Sequence, residues 1–168
     1  MKKIFKIFFF VLFFVFVFSK SNFAKNNIIK IGVLIDLSGP LSTFGHQILE
    51  GLNLAKTDIE NYFQKQNYPY KIRFYIEDTQ LNPSTCLKKL QVLKAKDIKV
   101  IIGPISSGEL KNIKSYANFN KIILFSYSTA IPHMIGFVYP EEKKYIFRIV
   151  PNDSFQGKVI ALLLKICR

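Results

Sequence analysis

Three short stretches place small hydroxyls and glycines directly after apolar runs: IDLSGPLSTFG from Ile35 to Gly45, IIGPISSG from Ile101 to Gly108, and FSYSTA from Phe125 to Ala130. In each, a strand would end in a loop that offers backbone N–H groups and alcohols, and the first two loops lead straight into helical patterns. At the carboxyl edge of an open sheet such loops bind small ligands, and the positive end of the following helix favours an anionic group. Three of them predict one shared polar rim. The chemistry they support is recognition rather than bond-breaking. No G-x-S-x-G elbow occurs and no base stands near Ser107 in sequence. Asp36 sits at a strand end, as catalytic and phosphoacceptor aspartates do, but Ser38 occupies the position where a second carboxylate would be needed. His46 and His133 have no ligand-spaced partner, so neither a metal nor another cofactor is expected.

The elements that must hold these loops alternate along the chain. Residues 30–35 form a short apolar run suited to a strand covered on both faces. Ile48, Leu52, Ala55, Ile59 and Tyr62 recur at steps of three and four, which predicts a helix over 45–63 with one apolar stripe. A strand is expected over 71–77. Asn82-Pro83-Ser84 then opens a helix with Cys86 or Leu87, Leu90 and Leu93 inward. A strand over 99–102 precedes a helix that starts at Ser106 or Ser107, either of whose hydroxyls could cap it, with Leu110, Ile113 and Ala117 inward. Strands over 121–125 and 145–149 flank a loop. The last helix follows Pro151-Asn152-Asp153-Ser154 and carries the stripe Phe155, Val159, Leu162, Leu163 and Ile166. Regular alternation implies right-handed crossovers and a doubly wound, parallel α/β sheet. The last stripe needs cover, so that helix either turns back on this sheet or belongs to another lobe.

At 168 residues the chain has room for one ordinary domain or one lobe of a larger protein. Lys2, Lys3 and Lys6 precede an unbroken apolar run over 7–18, and a short polar stretch ends at Ala24; this is the order of a secretory signal peptide. The apolar run is short for a spanning helix. Asn22 stands where a small residue is preferred before the cleavage site, so an uncleaved anchor is the lesser alternative; either way the rest is expected to be exported. The segment holds Lys2, Lys3, Lys6 and Lys20 and no acid, so removing it takes the formal charge from +13 to +9. The remaining cations alternate with acids along helical faces, which argues for solvated surfaces and against a nucleic-acid partner. Cys86 and Cys167 permit a disulfide in an oxidising compartment, but nothing in their spacing calls for one.

In combination and in this order, IKIGVLIDLSGPLSTFG from Ile29, VIIGPISSG, ILFSYSTA and YIFRIVPNDSFQG resemble the N-terminal lobe of the periplasmic leucine/isoleucine/valine-binding proteins. That is the type I periplasmic binding fold shared with receptor-family ligand-binding regions. The resemblance covers about residues 29–160. It implies residues 25–150 as an N-terminal ligand-binding lobe and 151–168 as the truncated start of a second lobe, after a signal over 1–24. It implies an exported, periplasmic, non-enzymatic receptor that captures branched-chain or related amino acids, or a small amide, and delivers them to an ATP-driven inner-membrane permease. By position, Phe44 corresponds to the aromatic that packs on the ligand. Ser107 corresponds to the residue that holds its α-carboxylate. Ser128 and Ala130 correspond to further contacts, with Thr129 taking that role if the alignment slips by one. The ammonium partner in this family is an acid of the second lobe. Two other readings stand beside this one: a non-functional remnant of such a receptor, and a small exported α/β hydrolase using Asp36 or Ser107.

Overall fold

Strands β1 (Asn27–Ile35), β2 (Tyr70–Asp78), β3 (Val100–Ile102), β4 (Ile123–Ser126) and β5 (Ile146–Arg148) pair in parallel in the order β2-β1-β3-β4-β5. They come from a computed structural model that describes residues 27–128, 144–151 and 153–166. Helices α1 (Ser42–Lys65), α2 (Pro83–Ala95) and α3 (Ser107–Phe119) connect the first four strands, and α4 (Asp153–Ile166) follows the fifth. The chain steps outward from β1 to β2, then returns across β1 to β3 and continues to β5. With right-handed connections, that reversal puts α1 on one face of the sheet and α2 and α3 on the other. The parallel α/β architecture expected from the alternation is therefore present.

The α2/α3 face is the core. Leu34, Ile101, Leu124 and Ile146 point there from successive strands and meet Cys86, Leu90 and Leu93 of α2 and Leu110, Ile113 and Ala117 of α3, all buried. These are the helical positions that periodicity places inward. Cys86 is a buried free thiol, and burial beside the Glu109 charge pushes its pKa up. At the margin, Glu77 of β2 binds Lys89 and Lys96 at 3.1 Å each. Its partial burial favours the neutral form, but the two ammonium groups outweigh that and hold its pKa low.

The opposite face is only partly covered. Val33 and Ile35 are buried there, whereas Phe125 and Phe147, stacked at 5.4 Å, remain exposed. Of the stripe expected on the first helix, Ile48 and Leu52 are half-buried, but Ala55, Ile59 and Tyr62 lie exposed. The reason is topological: among the described residues no second helix flanks α1, so only its first half has sheet to lean on. Its far end is tied instead to the edge strand, where Glu60 accepts the Ile72 N–H at 2.9 Å and Phe63 packs edge-on against Tyr68 and Tyr70. The stripe on α4 meets neither face; every residue of that helix is exposed. It does not turn back on this sheet. The expected signal over 1–24, Thr129, Ala130, His133, Asn152 and Cys167 all fall outside the described residues. Among the described residues no helix is long and apolar enough to cross a membrane.

Two glycines let the rim elements approach β1. Gly103 has φ +113°, and a methyl group there would run into the Leu34 carbonyl. A methyl on Gly45 would strike the Asp36 carbonyl. Backbone atoms cannot yield as flexible side chains do, so Gly103→Ala and Gly45→Ala should each lower unfolding free energy by about 2–3 kcal/mol. Gly51→Ala, in open space within α1, should instead raise it by about 0.5–1 kcal/mol. Urea denaturation of the three variants checks both signs.

Candidate functional site

The reversal in strand order lies between β1 and β3, so their carboxyl ends open a crevice flanked by residues 36–41 and 103–106. Two carboxylates shape its first wall. Asp36, wholly buried, accepts the Gly39 N–H on Oδ1 at 2.6 Å and the Leu41 N–H on Oδ2 at 2.7 Å. Asp78 lies beside it because β1 and β2 pair Ile35 with Asp78. Its Oδ1 accepts the N–H groups of Leu37 at 2.9 Å and Gln80 at 3.0 Å, and Oδ2 accepts the Ser38 hydroxyl. Charge-assisted bonds of this kind are about twice as strong as neutral ones. Partial burial alone would raise the Asp78 pKa; the Ser38 hydroxyl and the Leu37 and Gln80 amides outweigh it and hold the pKa below its ordinary value. Asp36 is thus occupied as a loop anchor, with both oxygens engaged.

The second wall is the turn after β3. The Gly103 N–H donates to the Phe125 carbonyl at 2.9 Å and the Ser126 hydroxyl donates to the Pro104 carbonyl at 3.3 Å, so this turn is fastened to β4. Ser106, not Ser107, caps α3: its hydroxyl accepts the Glu109 N–H, and Glu109 reciprocates at the Ser106 N–H. Ser107 occupies the first helical position, half-buried, and its hydroxyl has no partner among the described residues.

Between α1 and the ends of β3, β4 and β5 lies a hollow of about 600 Å³. Leu41, Phe44, Ile48 and Leu52 form its helix side; Ile102, Ile105, Tyr127, Ser128 and Ile149 form its sheet side. The lining is largely apolar. The Tyr127 hydroxyl turns away toward the Leu34 carbonyl at 3.4 Å, and burial, with the charges of Glu109 and Asp36 in the vicinity, pushes its pKa up. Of the residues expected to contact a ligand, Phe44, more than half exposed, and Ser128 share this hollow. Ser107 is not in its lining, although Ile105 two residues earlier is. Thr129 and Ala130 lie outside the described residues. Sequence reasoning missed Tyr127, Ile105 and Ile149, because an apolar residue at a strand end looks the same whether it lines a hollow or fills a core.

Residues 47–168 match the family model for the receptor family ligand binding region. The chain belongs to that family. Uncharacterized protein MJ1266 of Methanocaldococcus jannaschii is 48% identical over 84% of this chain and 34% of its own length. Glutamate receptor 2.8 of Arabidopsis thaliana is 28% identical over 82% of this chain and 14% of its own. Among solved structures, the branched-chain amino acid transporter substrate-binding protein LivJ of Streptococcus pneumoniae, in complex with isoleucine, superposes with a TM-score of 0.67 at 23% identity, covering 80% of this chain and 37% of that one. The fold is that of an N-terminal lobe of the type I periplasmic binding proteins, and this chain spans about a third of the length of MJ1266 and of LivJ. Family and fold are those of binding proteins.

Asp36→Asn would turn one accepting oxygen into a donor facing a donor, at a cost of about 1–3 kcal/mol. For Asp78 the folded-state pKa is lowered, so its stabilisation is present above the unfolded value and lost as pH falls through the folded one. Wild-type stability should therefore drop on acidification below roughly pH 4, with Asp78→Asn less stable at neutral pH and flatter in that range. Urea midpoints measured from neutral pH downward test both; an unchanged acid slope in Asp78→Asn would refute the role given to it.

Proposed function

We propose that this chain carries the N-terminal half of an amino-acid-binding site in an exported solute receptor. The supporting observation is the division of labour at the crevice: Ser106 is consumed as the cap of α3, so the Ser107 hydroxyl and the first N–H groups of that helix are left for a carboxylate, next to an apolar hollow fitted to an aliphatic side chain. Phe44 closes the hollow from the α1 side and Ser128 offers a hydroxyl from the β4 side. Thr129 and Ala130 would extend that contact. The isoleucine in the LivJ complex has the same two ends, a carboxylate and a branched aliphatic group.

In this reading residues 1–24 direct export to the periplasm, residues 25–150 form the first lobe, and α4 opens the second, which explains why its apolar stripe finds no partner on this sheet. The second lobe supplies the acid for the ligand's ammonium and half of the surface that excludes water. The delivery partner is an ATP-driven membrane permease. Hydrolysis is disfavoured by the site itself, since both oxygens of Asp36 are engaged in holding the loop and the Ser107 hydroxyl is hydrogen-bonded to no base among the described residues.

A single lobe leaves the ligand half-solvated, so the 168-residue chain should bind isoleucine only at roughly millimolar Kd. Isoleucinol, which lacks the carboxylate, should bind more weakly, and Ser107→Ala should remove most of the difference, since hydrogen bonds to charged groups contribute about 1.5–3 kcal/mol. Amide shifts recorded during titration with both compounds test this. Perturbations at Phe44, Ser107 and Ser128 are expected with isoleucine. Identical responses to isoleucine and isoleucinol, or turnover of ester substrates lost in Ser107→Ala, would contradict it.

A further inference from the structure

Which of two adjacent serines caps α3 decides which hydroxyl is left free at the start of that helix. Ser106 and Ser107 offer cap positions one residue apart, and the hydroxyl that caps is no longer available. A reciprocal box needs an acid or amide three residues after the cap. Glu109 stands in that relation to Ser106; Leu110, buried in the core, stands there for Ser107. Glu109 is also wholly buried. Its Oε2 accepts both the N–H of Ser106 at 3.1 Å and its hydroxyl at 2.8 Å, while the Glu109 N–H approaches the same hydroxyl oxygen at 3.2 Å. One residue therefore engages the Ser106 N–H, its hydroxyl proton and one lone pair of its hydroxyl oxygen. Its other oxygen, Oε1, is buried with no hydrogen-bond partner among the described residues. A cap for stability alone needs no buried carboxylate with an unsatisfied oxygen, because an exposed one closes the same box without desolvation.

We infer that Glu109 is a positioning residue for the ligand contact at Ser107. It sets the start of α3 so that Ser106 turns inward and the Ser107 hydroxyl, with the Ser107 and Gly108 N–H groups, stays open at the crevice. It touches no ligand and acts through Ser106. The inference rests on the reading of Ser107 given above.

Carbon chemical shifts of the two serines in the 168-residue chain report which one holds the extended cap conformation, seen here at Ser106 with φ −105° and ψ 150°. In Glu109→Ala the cap signature should move to Ser107, the first-turn amides should exchange about fivefold faster, and the Ser107 amide should stop responding to isoleucine. Glu109→Gln keeps an acceptor for the box, so it should retain the signature on Ser106 and the response. A signature that stays on Ser106 in Glu109→Ala overturns the inference, as does one that moves in Glu109→Gln. If Glu109→Ala fails to fold, Ser106→Ala must shift the cap to Ser107 and silence its response; a Ser107 amide that still responds there overturns the inference. Should the cap move as expected while the wild-type Ser107 amide ignores isoleucine, control of the helix start by Glu109 is upheld and the ligand role of Ser107 is refuted.

Discussion

The site depends on the grip of two neighbouring carboxylates on one loop. Asp36, directly after β1, and Asp78, at the end of β2, accept between them the N–H groups of Leu37, Gly39 and Leu41 and the Ser38 hydroxyl of the loop after β1, and Asp78 also takes the Gln80 N–H of its own loop. Without those acceptors the loop after β1 would carry several inward-facing donors beside a buried strand, a conformation that water would dissolve. With them, the loop turns tightly enough for α1 to start at Ser42 and for Gly45 to lie against the Asp36 carbonyl. The position of Phe44 follows from that contact.

The two faces of the sheet serve different ends. On the α2/α3 face, strand and helix positions interdigitate into a closed core, and this is where the stability of the unit resides. On the α1 face only one helix lies among the described residues, and none of those residues fills the angle between that helix and β4 and β5, which is where the hollow lies. The asymmetry follows from strand order: the reversal that separates the helices also parts the loops of β1 and β3. Core and crevice are two results of one topology.

Much of this was legible from residue types. The inward faces of α2 and α3 follow from Leu90, Leu93, Leu110 and Ile113 at helical spacing, and parallel pairing follows from the alternation of elements. The stripe on α1 was misleading past Leu52, because periodicity shows which residues align on a helix and not whether a surface waits for them. The choice between Ser106 and Ser107 as cap was left open, yet the signal was present in the Ser-x-x-Glu spacing that ends at Glu109. The apolar side of the hollow was hidden. Ile105, Tyr127 and Ile149 come together only through the pairing of β3, β4 and β5, which no local pattern encodes.

The central claim is that a zwitterionic aliphatic amino acid lies with its carboxylate at the start of α3 and its side chain in the hollow beside α1. Intermolecular NOEs between methyl-labelled isoleucine and the 168-residue chain test it most directly. The account predicts cross-peaks from the ligand methyl groups to the Phe44 ring and to Ile105 or Tyr127. Cross-peaks confined to the exposed helix α4, or to the β2 edge around Ile72 and Phe74, would contradict it.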